Sequence, residues 1–303
     1  MIRQAAFINV GKHLKGNLHC HTTRSDGKGT PEEVIRLYAQ NGYDFLALTD
    51  HRLYNYDNFA PETNLTIIPG VEVDRNTAAV TFPCHHIVSI GPQKEAGNGF
   101  DQNQRFETIP FTNNAETQEL LDMLHANNNM TIYCHPEWSG RTARGFEDLQ
   151  GNFAMEIWNS TSALATGNDR NAAYWDELLA QGKRLWGVAS DDGHSMHQHC
   201  NGWVRVNSEN NVPAILEALK NGAFYASTGP EIYDFYVEDG VAYVNCSEAV
   251  EIQFVHLLTP YRLTTGEALT SASIKVRTGT DYIRAVVVDA QGRRAWTNPI
   301  FFE

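Results

Sequence analysis

A chain of 303 residues with 42% hydrophobic and 19% charged content is long enough for one large core or for two domains. Its formal net charge of −13 works against a phosphate-backbone footprint, which needs a basic stripe, so long DNA or RNA is excluded as an expected partner. No early segment has the three-part pattern of a signal peptide and no run approaches a membrane helix, so a cytoplasmic protein without membrane association is expected. The five cysteines are scattered and odd in number, which suits free thiols better than a disulfide framework or a zinc knuckle. Nothing in the composition speaks to oligomeric state.

From residue 17 to about 222, short apolar runs alternate with helical stretches: NLHCH, PEEVIRLYAQNG, DFLALTDH, NLTIIPGVEV, HHIVSIG and AETQELLDMLHANNN, then MTIYCHP, FAMEIWN, NAAYWDELLAQGKR, LWGVASDD and VPAILEALKNG. This order predicts an α/β fold with roughly seven parallel strands. Thr30-Pro31-Glu32-Glu33 predicts a capped helix start, and Asn41-Gly42, Gln181-Gly182 and Asn221-Gly222 predict helix stops. An open sheet and a closed barrel both fit the alternation. A barrel is favoured because polar candidates recur at most strand ends, and only a ring of strand ends brings them to one centre. After Thr228-Gly229-Pro230 the pattern turns to alternating β segments, with Asp239-Gly240 as a hairpin signal. The expected domains are therefore residues 1–229 and a small antiparallel β domain at 230–303.

The candidate chemistry lies at those strand ends. His19 and His21 flank Cys20, and side-chain alternation points both imidazoles the same way. Asp26 follows in RSDGKG, His51 ends LALTDH, Glu72 ends IIPGVE, His86 opens HIVSIG, His135 ends TIYCHP, and Asp192 with His194 ends WGVASDDGH. Six of the twelve histidines fall in this set, a concentration that packing or solubility does not require.

With these residues in order and spacing, the chain resembles the PHP (polymerase and histidinol phosphatase) superfamily, in its stand-alone metal-dependent phosphoesterase branch. The matching motifs are His19-x-His21 with Ser25-Asp26-Gly27, Thr49-Asp50-His51, Gly70-Val71-Glu72, His135-Pro136 and Asp192-x-His194. The tail YIRAVVVDAQGRRAWTNPIFF is further similar to the CehA/McbA-like metallohydrolases. The resemblance implies a distorted (βα)7 PHP-type barrel that holds two or three divalent metals. Its implied ligands are His19, His21, Asp26, His51, Glu72, His86, His135, Asp192 and His194, with His86 preferred over His85 and Asp192 over Asp191. Mixed imidazole and carboxylate donors suit Zn, Mn or Fe.

The expected activity is hydrolysis of a small phosphoester by a metal-activated hydroxide, with Asp192 and His194 also orienting the nucleophile or moving its proton. Hydrolysis of a carbamate, amide or carboxylic ester is the alternative, and a noncatalytic, metal-stabilised binding module is the reading from another class. Cys20, Cys84 and Cys134 are expected to face away from the ligands. Among Arg24, Arg75, Arg141 and Arg144, Arg141 is the first choice to grip phosphate, with Trp138 walling the pocket. Glu156 is expected to support the ligands, and Asn159 to contact substrate. His197 and His199 are read as a lid or a solvated loop, and His13, His125 and His256 as structural or surface residues.

Overall fold

A computed structural model of the chain describes residues 3–7, 13–76, 82–107, 110, 112–167, 171–257 and 259–302. The elements run β1 (Arg3–Phe7), β2 (Leu14–Asn17), α1 (Pro31–Gln40), β3 (Phe45–Ala47), β4 (Thr66–Ile68), β5 (Gly70–Arg75), β6 (His85–Ile90), α2 (Asn114–Ala126), β7 (Met130–Tyr133) and β8 (Asn152–Asn159). They continue with α3 (Ser160–Thr166), α4 (Asn171–Ala180), β9 (Trp186–Ser190), β10 (Trp203–Val206), α5 (Val212–Lys220), β11 (Phe224–Ser227) and β12 (Ile232–Glu238). The last are β13 (Val241–His256), β14 (Thr259–Lys275), β15 (Tyr282–Val288), β16 (Arg294–Thr297) and β17 (Ile300–Phe301).

Local chemistry explains the boundaries. At α1 the Thr30 hydroxyl accepts from the Glu33 amide, the Glu33 carboxylate accepts from the Thr30 amide, and Pro31 occupies the first turn. Gly42 ends the turn after α1 with φ 72°. The stretch NLTIIPGVEV, expected as one strand, is two: Pro69 has no N–H for a ladder, and there the chain passes from β4 in one sheet to β5 in another.

One sheet has the order β1-β12-β13-β15-β16-β11-β10-β2-β3-β4, with β14 on β13 and β17 on β15; the other has the order β5-β6-β7-β8-β9. The ladders β2/β3, β3/β4, β7/β8 and β8/β9 are parallel, and parallel bridges His51↔Glu72 and Cys20↔Gly193 carry β3 onto β5 and β2 onto β9; of the runs expected to be parallel strands, β6 departs. β6 follows β5 without an intervening helix and pairs with it antiparallel. That reversal explains why His86 opens its strand while other candidates close theirs. The start of an antiparallel strand lies at the same end of the sheet as the finish of its neighbour.

Hydrogen bonds beyond the strands tie these ends together. His21 N donates to Gly193 O (3.1 Å), Asp192 N to His19 O (2.8 Å), Thr49 N to Cys20 O (3.0 Å) and Glu72 N to Thr49 O (3.1 Å). The extensions of β2, β3, β5 and β9 therefore surround one point.

The β-rich C-terminal part is antiparallel, and its first hairpin turns on Asp239 and Gly240, both at positive φ (50° and 75°) as a two-residue turn requires. Pairing crosses the expected boundary at 229: β11 pairs with β16, and β1 pairs with β12. One core cluster joins Trp175, Leu178 and Leu179 to Val255, Val286 and Trp296. Across the same contact the buried Arg284 donates from Nε and Nη2 to both oxygens of Asp176 (2.8 and 2.7 Å). Among the described residues no helix is long and apolar enough to cross a membrane.

Candidate metal centre

All nine expected residues meet at the tied strand ends. Glu72 is at the middle, fully buried on β5. Its Oε2 lies 3.4 Å from His19 Nε2, 3.2 Å from His21 Nε2 and 2.9 Å from His51 Nδ1, while Oε1 lies 2.8 Å from His86 Nδ1 and 3.5 Å from His135 Nε2. Asp192 Oδ1 lies 3.2 Å from His19 Nε2 and 3.0 Å from His21 Nε2; Oδ2 lies 3.6 Å from His135 Nε2. Asp26, the most exposed member, faces His194 Nε2 (3.4 Å), His51 Nε2 (3.7 Å) and His21 Nδ1 (3.8 Å).

The donors fall into overlapping groups able to hold a cation: His19, His21, Glu72 and Asp192; His51, Glu72 and His86; and His21, Asp26, His51 and His194. Whether they fit a metal is tested by their directions. His51 Nδ1 and Glu72 Oε2 are 2.9 Å apart, yet neither has a hydrogen-bond partner, because they are not aligned on each other. His19 and His21 bring their Nε2 atoms within 3.2 Å. Buried lone pairs gathered this closely and not satisfied by one another fit divalent cations.

The electrostatics agree. Burial disfavours charge on Glu72, but His51, His19 and His86 hold its carboxyl well below the usual range. Burial likewise opposes charging His19, yet Asp192, Glu72 and Glu156 raise it well above an ordinary imidazole. His194 is raised to about 9 by Asp26 and Asp192, which outweigh its burial. These shifts show that the buried carboxylates favour positive charge beside them.

A second layer fixes these ligands. Glu156 Oε1 lies 2.7 Å from His19 Nδ1 and also accepts from Ser190 Oγ; its Oε2 accepts from His135 N (2.9 Å). This carboxylate–imidazole pairing leaves His19 Nε2 pointing into the cluster. Asn159 donates to Glu156 Oε2 (2.8 Å) and Asp192 Oδ2 (3.2 Å) and caps α3 through Ser162 N, so it is occupied with support, contrary to the expected substrate contact. Asp50 accepts from Thr22 N and Ser25 Oγ (both 2.8 Å) and shapes the turn that carries Asp26. Asp191 faces away from the cluster and accepts from Asn17, Tyr38 Oη, and the amides of Cys200, Asn201 and Gly202. Asp191 thus takes the face opposite to Asp192, as expected of the neighbour of a strand-end ligand, whereas the role of Asp50, which directly precedes His51, was not expected.

His85 takes that opposite face too, with Nδ1 2.8 Å from Tyr133 Oη and Nε2 3.1 Å from Asn114 Oδ1; burial, then Arg141, bring it down to about 3. Arg141 therefore sits on the His85 side, its Nε donating to Cys84 O (3.3 Å), and not among the ligands as expected of a phosphate grip. Trp138 does flank the cluster, its ring centroid 4.9 Å from that of His135 and 5.5 Å from that of His86.

Two further expectations are corrected. Cys20 points away, to Ala47 O, but the Cys134 thiol lies within 4.8 Å of ligand atoms of His19 and Glu156. Alternation fails there because His135 adopts φ 24°. Burial pushes the Cys134 thiol well up, which favours its neutral form. His199 is buried rather than solvated, with Nδ1 3.2 Å from Tyr38 Oη, and burial lowers it to about 4; His197 is exposed.

The PHP domain pattern matches residues 17–171, just over half of the chain. The chain belongs to the PHP domain family. A 67-residue stretch is 42% identical to the 5'-3' exoribonuclease of Haemophilus influenzae, covering 20% of this chain and 24% of that protein. The chain thus spans about a quarter of that relative's length. A two-domain protein from Bacteroides vulgatus, described as containing a predicted PHP-like metal-dependent phosphoesterase, aligns over 99% of this chain and all of its own, with TM-score 0.51 and 13% identity. That likeness is one of fold. An amidohydrolase from Chromobacterium violaceum, solved with sulfate and no metal, aligns over 60% of this chain and 88% of its own, with TM-score 0.42 and 16% identity.

Proposed function

We propose that the protein is a metal-dependent hydrolase of small phosphoesters, built on a distorted (βα)7 PHP-type barrel with two or three divalent ions of Zn, Mn or Fe. The observation that carries this reading is Glu72. One buried carboxylate turns its two oxygens toward two sets of imidazoles, the arrangement that suits neighbouring cations. Divalent ions bound there supply Lewis acidity and lower the pKa of bound water toward about 7.

The chain's own residues do the rest. His19, His21, Asp192 and Glu72 hold one position, His51 and His86 extend it, and Asp26 and His194 complete the outer position. Asp192 is steadied by Asn159, so its carboxylate orients a nucleophilic water. His194 is fixed through Nδ1 on the Asp192 carbonyl oxygen (2.8 Å) and faces Asp26 with Nε2 (3.4 Å), the one nitrogen it has left, which would ligate the outer ion or, where no ion takes that nitrogen, pass a proton to or from solvent. The net charge of −13 favours a small substrate over a polymer. The H. influenzae relative's activity, exonucleolytic cleavage of RNA, is also phosphoester hydrolysis, which supports the bond type.

The test is metal analysis of the purified protein with a panel of phosphomonoesters, phosphodiesters, carbamates and carboxylic esters. Turnover of a phosphoester by metal-loaded protein is expected. Full metal loading with cleavage of carbamates or esters alone would replace phosphorus by carbon as the target. No turnover on any of them would leave a binding module.

A further inference from the structure

We propose that Arg52 grips the phosphoryl oxygens of the substrate and that buried Asp74 aims it; this rests on the phosphoester reading above. Arg52 directly follows His51, has φ 55°, and donates its amide to Glu72 O (2.7 Å), so its backbone is pinned between two members of the cluster. Its Nη1 donates to Asp74 Oδ1. Asp74 is two residues beyond Glu72 on β5, and side chains at that spacing share a face about 7 Å apart. It also stands opposite His86 in the β5/β6 register. The guanidinium is therefore held toward the face of β5 that carries Glu72.

The manner of pairing separates this arginine from Arg284 and Arg24. Arg284 spends Nε and Nη2 on both oxygens of Asp176 and is buried. Arg24 spends Nη1 and Nη2 on Asn55 and Asn103. Arg52, by contrast, uses one N–H on a nearly fully buried carboxylate, while its own side chain is 36% exposed. Among the described residues Asp74 is its only side-chain acceptor. A guanidinium has five N–H donors in a planar fork, so Arg52 keeps a free edge to offer two oxygens of a phosphoryl group. A neutral carbamate offers no charge for that edge, so Arg52 would set the preference for a phosphoester.

Purified metal-loaded protein is compared with Arg52→Met and Arg52→Lys. In Arg52→Met the KM for p-nitrophenyl phosphate and the Kd for inorganic phosphate, read by calorimetry, should each rise roughly tenfold to a hundredfold, with kcat changed less. Metal content should match the parent, while the melting temperature should fall, because buried Asp74 loses the cation that faces it. Arg52→Lys, which keeps the charge and loses the fork, should fall between. Parent-like KM and phosphate affinity in a folded, metal-replete Arg52→Met protein would overturn the proposal. Phosphate binding that weakens in Arg52→Met while the parent turns over no phosphoester supports the grip and sinks the phosphoesterase reading. Absence of phosphate binding in the parent sinks both.

Discussion

Glu72 and the histidines around it set the proton balance of the site. His194 is held at about 9 in the folded chain against 6.5 for an unperturbed imidazole, so the folded state binds its proton more tightly than the unfolded state. The sign follows directly: this stabilisation is fully present below pH 6.5 and is lost as pH rises through about 9. His19, His51 and His86 are displaced in the same direction. Chelator-treated protein should therefore melt at a lower temperature at pH 9.5 than at pH 6.5. Metal affinity should move the other way and strengthen across that window, because a cation takes the unprotonated imidazole. A melting temperature of the metal-free protein that climbs with pH would contradict this charge assignment.

The strand ends carry the site, and Asp191 shows how. Its carboxylate gathers five donors from β2, α1 and the loop after His199, so it locks the Asp192–His194 turn against the strand that bears His19. Asp191→Ala leaves those buried donors unmet and should cost about 3 kcal/mol or more in urea unfolding, with weakened metal binding. A change under about 0.5 kcal/mol, the size of an ordinary surface substitution, would remove Asp191 from that role. At this scale the sequence was readable where a rule was local. The alternation of His19-Cys20-His21, the capping residues Thr30 and Glu33, and the Asp239-Gly240 turn each depend on a few adjacent residues. It was not readable where a partner decides the outcome. Burial of His199 depends on Tyr38, the occupation of Asn159 depends on Glu156, and the pairing of Arg52 with Asp74 depends on how β5 presents its face. The antiparallel β6 escaped for the same reason, since no residue within it states the direction of its neighbour.

Across the whole molecule, the β-rich C-terminal part is joined to the part that carries the metal centre by backbone as well as by side chains. The β11/β16 ladder and the shared apolar cluster make residue 229 a change of pattern that the sheet crosses without a break. Within that contact, Arg284 and Asp176 form a buried bidentate pair. Removing one member leaves an uncompensated charge, so Arg284→Met should destabilise by about 3–5 kcal/mol in urea unfolding, and adding Asp176→Leu should recover most of the loss. Independent, additive effects of the two substitutions would mean that the pair does not couple the two parts.

The most direct measurement of the central claim is metal content by elemental analysis of the parent, His19→Ala and Asp192→Ala proteins purified alike. Both residues belong to the same buried donor group. The parent should hold two or three divalent ions per chain, and each variant should lose at least one while remaining folded. Parent-like metal content in both variants, or a parent that takes up no divalent ion, would contradict the assignment of this cluster as a metal centre.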